Sequence, residues 1–99
     1  MATLYISEYV RMGLDSRVPV PAGEEPALAT QTVAVSGTSA QSSAFNANTR
    51  FVRIHTDTIC CLVFGSSPTA TTSGMRMAAD QTEYFAVTPG NKLAVILGT

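Results

Sequence analysis

His55 is the single histidine of the chain, and it sits in the stretch Ile54-His55-Thr56-Asp57. Histidine is the commonest general base, so a Ser/His/Asp arrangement with Asp57 or Asp80 is the first chemistry to test. No G-x-S-x-G elbow accompanies it, and Gly37-Thr38-Ser39 and Gly65-Ser66-Ser67 carry no esterase or protease context. A lone strand histidine more often packs or hydrogen-bonds. Cys60 and Cys61 are adjacent, which matches no metal-ligand spacing such as C-x-x-C. On a strand their side chains point to opposite faces, so two unbridged packing residues are expected, with an intermolecular disulfide or a reactive thiol as the alternatives. A zinc site built from His55, Asp57 and Cys60 across a turn fits no known ligand pattern. Glu24-Glu25 and Asp80/Glu83 read as solvated charge. No phosphate-cradling glycine motif occurs, and no cofactor is expected.

The aromatic and basic residues point elsewhere. Tyr5, Tyr9, Phe51, Tyr84 and Phe85 suit a core, an interface or the stacking of a sugar ring. Arg53 and Arg76 lie in strand-like segments, where a guanidinium can pair with a partner's carboxylate. Arg50 and Arg53 have opposite parity and form no single basic patch. The candidate interface residues are therefore Val18, Pro19, Val20, Pro21, Phe51, Arg53, Arg76 and Tyr84.

These residues need strands to hold them. Period-two alternation runs through Thr3–Ser7, Ala27–Ser36, Arg50–Thr56, Ile59–Phe64, Met75–Ala78, Thr82–Val87 and Lys92–Leu97. No helical stripe appears. The expected fold is all-β: a small antiparallel β-sandwich or jelly-roll-like barrel with an extended N-terminal segment. Arg50–Thr56 and Ile59–Phe64 read as a hairpin, and Thr82–Val87 and Lys92–Leu97 as another. Thr88-Pro89-Gly90-Asn91 has the residues of a type II turn. Ile59–Phe64 is apolar on both faces, which predicts a central strand covered by the core on one side and by a loop or a neighbouring subunit on the other.

Arg11–Pro26 breaks the pattern with three prolines and two glycines. Its sixteen residues, fully extended, would reach roughly 50 Å. It reads either as a loop across one end of the domain or as an arm lying on a neighbour. The chain then divides into residues 1–26, an N-terminal strand and Pro-rich arm or loop, and residues 27–99, the sandwich.

The 99 residues suit one domain. A charged fraction of 13% is about half the usual ~25%, and six basic against seven acidic residues leave a net charge of -1. Nothing there attracts nucleic acid. The longest apolar run, Ile59–Phe64, is far short of the ~20 residues of a membrane helix, and the first residues carry no secretory pattern. A soluble protein made in a cytoplasm, with neither nucleic-acid nor membrane partners, is expected. So thin a core, without tryptophan, favours a homo-oligomer.

Arg53-Ile54-His55-Thr56-Asp57, Phe64-Gly65, Pro68-Thr69-Ala70-Thr71-Thr72, Met75-Arg76-Met77, Glu83-Tyr84-Phe85 and Pro89-Gly90-Asn91-Lys92-Leu93-Ala94-Val95-Ile96 together resemble a family of small virion structural proteins of tailed bacteriophages. The resemblance covers roughly residues 50–97, with a fainter echo in residues 35–42. It brings no catalytic residue. It implies a non-enzymatic virion component, most simply a head decoration or cement protein that binds the major capsid protein or other virion proteins. Homo-oligomers, trimers among them, are what such proteins form. A tail or fibre-associated module recognising a host glycan through Phe51 or Tyr84, or a head–tail connector component, are the alternatives.

Overall fold

The computed structural model describes residues 2–10, 12–15, 18–23 and 26–98, with 12–15 and 18–23 described by their backbone alone. Ten strands form among the described residues: β1 (Thr3–Tyr9), β2 (Met12–Asp15), β3 (Val18–Gly23), β4 (Ala29–Ala34), β5 (Ala40–Gln41), β6 (Phe51–Thr56), β7 (Cys60–Gly65), β8 (Met75–Met77), β9 (Thr82–Ala86) and β10 (Lys92–Leu97). Two four-stranded antiparallel sheets, ordered β4-β1-β6-β9 and β5-β10-β7-β8, make a small β-sandwich, and β2-β3 is a separate two-stranded sheet. Among the described residues there is no helix.

Alternation decides which side chains meet between the sheets. Leu4, Ile6, Val33, Val52 and Ile54 come from one sheet, and Cys60, Leu62, Met77, Leu93 and Val95 from the other; all belong to one buried cluster. Phe64 bridges the layers, with its ring 5.1 Å from Phe85 and 6.4 Å from Phe45.

Both expected hairpins are corrected. β6 pairs with β1 and β9, while β7 pairs with β10 and β8. The turn between β6 and β7 therefore carries the chain from one sheet to the other. β9 and β10 are likewise in different sheets. Two apolar strands joined by a short polar turn suit either a hairpin or such an arch. Here the inward faces of both strands are buried against each other, which only the arch provides. Thr56 helps the turn: its Oγ1 hydroxyl donates to the Thr58 carbonyl at 2.7 Å and accepts from the Thr58 N–H at 3.2 Å. The Thr88–Asn91 turn does form, with Asn91 N–H donating to the Thr88 carbonyl at 3.2 Å and Gly90 at φ 84°. It too spans the two sheets.

From β4 to β10 every connection but β7–β8 changes sheet. These strand orders are those of a jelly roll in which β1 takes the place that would follow β10. Thr3 and Gly98 flank the same arch: Thr3 N–H donates to Asp57 Oδ1 at 2.7 Å, and Gly98 N–H donates to the Ile59 carbonyl at 3.0 Å. β1 is thus an inner strand of the sandwich, and the division at residue 26 separates it from the sheet that it completes. The Pro-rich segment folds back on itself as β2-β3, with Leu14 opposite Pro19. A four-residue strand against a six-residue strand spans about 20 Å, well short of a single extended arm.

β7 is covered on both faces. The outer one lies under a loop: Pro68 and Ala70 are buried, Gln41 Nε2 donates to the Pro68 carbonyl at 2.7 Å, and Ala70 N–H donates to Ser39 Oγ at 2.8 Å. Cys61 and Ala94, on that outer face, are completely buried.

At the other end of the core Glu8 points inward from β1 and is 3% exposed. Its Oε1 accepts from Asn46 N–H and Thr49 Oγ1, both at 2.8 Å, and its Oε2 accepts from Gln31 Nε2 at 3.1 Å. A buried carboxylate is tolerable when its lone pairs are filled in this way. Glu8→Ala would strand the Thr49 hydroxyl and the Asn46 amide, and is expected to lower unfolding free energy by at least about 2 kcal/mol in chemical denaturation. Asp57→Ala, at the exposed end of the same sheet, should cost under about 1 kcal/mol.

Candidate functional site

The outer face of the β4-β1-β6-β9 sheet carries His55, Arg53 and several hydroxyl side chains. Strand register sets them in rows. Thr32, Tyr5, His55 and Thr82 form one row, and Thr30, Ser7, Arg53 and Tyr84 the next. Tyr9 and Phe51 face each other at the end from which β2 leaves. An open groove of about 650 Å³ lies along β4, β1 and β6, bordered by Tyr5, Ser7, Thr30, Thr32, Arg53 and His55.

Three candidate interface residues, Phe51, Arg53 and Tyr84, meet on this face. The Phe51 and Tyr84 rings stack at 5.3 Å with 15° between their planes. Each thus spends one ring face on the other. Arg76 is elsewhere, on β8 at the edge of the second sheet, where its Nη1 donates to the Gly98 carbonyl at 2.8 Å. Val18, Pro19, Val20 and Pro21 form part of β3, but their side chains lie outside the described residues.

His55 Nδ1 is 2.8 Å from Thr82 Oγ1. That leaves Nε2 without a protein partner among the described residues. Asp57, its sequence neighbour, is engaged by Thr3 N–H instead, and Asp80 occupies a turn at φ 60°. Among the described residues no hydrogen bond links His55 to a carboxylate or to Ser7. Among the described residues the groove presents one cation, one imidazole, an exposed phenol ring and several hydroxyls, which is a set suited to recognition.

Cys60 and Cys61 are free and buried, and point to opposite sides of their sheet. Cys60 Sγ lies 3.6 Å from Thr56 Oγ1 across the core, and Cys61 Sγ lies 3.6 Å from the Thr72 carbonyl. Among the described residues no group of three His, Cys, Asp or Glu side chains could hold a metal ion.

Tyr5, Ser7, Thr30 and Thr32 were not among the sequence candidates as one site. Their common face depends on β1 pairing with both β4 and β6, and neither pairing is local. Compared with protein-family models, with curated proteins and with solved structures, the chain matches none.

Burial pushes the Cys60 thiol above its ordinary value of 9.0; its hydrogen bond with Thr56 works against this, and the neighbouring Cys61 adds to the rise. The unfolded chain therefore gives up this proton at lower pH than the folded one. Stability held below the unfolded value is lost as pH rises through it toward the folded value. Denaturation at about pH 8 and at about pH 10 should show a smaller alkaline loss in Cys60→Ala than in the parent chain.

Proposed function

We propose that the protein is a non-enzymatic virion structural protein, a capsid decoration protein that stabilises a phage head by bridging subunits of the major capsid protein. The observation that carries this is the β2-β3 ribbon, which pairs with no strand of the sandwich among the described residues. A lone two-stranded ribbon is marginally stable in water. Among the described residues its outer edges pair with no other strand, and such edges are where another chain can add by β-pairing. A ribbon of this kind is suited to reach from a stable domain onto a neighbour, and the resemblance of residues 50–97 to phage virion proteins says where such a neighbour would be. Jelly rolls recur in viral shells, which agrees with a virion role by fold analogy alone.

Cementing needs shape and buried area. Each copy contributes modest contacts, and repetition over a shell supplies avidity. The 13% charged fraction keeps the desolvation cost of such contacts low. A homo-oligomer belongs to the same proposal. Its best support is β4, an edge strand of six residues with neither charge nor proline, whereas β9 carries Glu83, and β5 and β8 are only two and three residues long.

Replacing residues 11–25 by a short Gly/Ser linker tests the ribbon directly. The sandwich should still melt cooperatively, while co-sedimentation with capsid shells is lost and particles assembled with the variant break at lower temperature. Unchanged binding and unchanged particle stability would sink the proposal.

A further inference from the structure

Arg53 is partly buried on β6, along one side of the groove, and, among the described residues, makes no hydrogen bond or ion pair. Arginine rarely gives up water without a partner to fill its donors. Among the described residues no carboxylate borders the groove; the charge they bring comes from Arg53, with His55 as the neighbouring titratable group. A ligand seated here would bring the negative charge itself.

The remaining walls narrow the ligand's chemistry. Tyr5 is 46% exposed, an unusual amount for an aromatic ring on an inner strand. Its one ring neighbour is His55, tilted by 43° at 6.2 Å, which leaves a broad ring face open. Aromatic faces of this kind receive the apolar C–H face of a sugar ring. Ser7, Thr30 and Thr32 surround it with hydroxyls that bond to no protein group among the described residues, and each can donate and accept. An open, hydroxyl-lined groove with a single cation among the described residues suits a saccharide better than a peptide, which would need apolar anchoring pockets.

We infer that the groove between β4, β1 and β6 binds a carboxylate-bearing saccharide, with the Arg53 guanidinium on the carboxylate and the sugar ring over Tyr5. The fork of arginine matches a carboxylate with two parallel hydrogen bonds. His55 Nε2 adds a further polar contact, since Nδ1 is held by Thr82. This site uses the groove and not the β2-β3 ribbon, so it stands or falls apart from capsid binding.

The test is an NMR titration of the whole chain with sialyllactose and with a galacturonic acid trisaccharide, against lactose, acetate and an acidic tripeptide. An acidic sugar should shift the amides of Ser7, Thr32 and Arg53 and bind about tenfold more tightly than lactose. Arg53→Gln should bring the acidic sugars down to the lactose level while the melting temperature is kept. Tyr5→Ala, on an exposed position, should weaken acidic and neutral sugars together. Four results would each overturn the inference: lactose binding as tightly as the acidic sugars, acetate or the tripeptide matching them at the same amides, Arg53→Gln leaving their affinity intact, or no shifts at millimolar sugar.

Discussion

Leu4, Ile6 and Glu8 point from β1 into the space between the sheets, and this alternation governs much of what the molecule presents to solvent. Because a strand repeats every two residues, the same register sends Tyr5 and Ser7 outward. A slip by one residue would drive Tyr5 inward and push Leu4 and Ile6 into water. Glu8 makes such a slip costly. Its carboxylate is saturated by donors from Gln31, Asn46 and Thr49, so it fixes β1 against β4 and against the loop that precedes β6. At the opposite end, Asp57 takes the Thr3 N–H. The strand is thus held at both ends by carboxylates, one buried and one exposed. The open groove exists because β1 is pinned between Thr30/Thr32 on one side and Arg53/His55 on the other.

Local patterning made seven of the strands legible, but not β2, β3 or β5, which lie in segments rich in proline, glycine or serine. Val52 and Ile54 inward with Arg53 and His55 outward follow from period two alone, and the Pro89-Gly90 turn follows from proline's fixed φ and glycine's tolerance of φ 84°. The all-apolar Ile59–Phe64 predicts an inner strand covered on both faces, and β7 is one. Sequence could not choose its second cover, because Pro68 and Ala70 look like ordinary loop residues until they are seen lying on the sheet. Pairing was the part that escaped. Thr56-Asp57-Thr58 turns the chain equally well in a hairpin and in an arch, and the choice is made by burial across the sandwich, not by the turn. Placing β1 with residues 1–26 missed its inner position for the same reason: its partners are some 30 and 50 residues away.

The site was half legible. Phe51, Arg53 and Tyr84 do share a face, because strand parity and the β6–β9 pairing bring them together. Tyr5 joins them only through β1. The pairing of Phe51 with Tyr84 also changes what those aromatics offer, since rings stacked on one another have less face left for a sugar than the exposed Tyr5 does. The covering loop removes one reason to expect oligomers, as β7 needs no second chain over its outer face. Among the described residues the β2-β3 ribbon pairs with neither sheet, and β4 is the long edge strand without charge or proline; these carry the case for the proposed role against other proteins.

Amide hydrogen exchange, compared between the free chain and the chain bound to purified capsid shells, tests that case most directly. The account predicts slowed exchange across residues 12–23 on binding, with no change along β7 and β10, which are already covered. Equal exchange across residues 12–23 in the free and bound protein would contradict it.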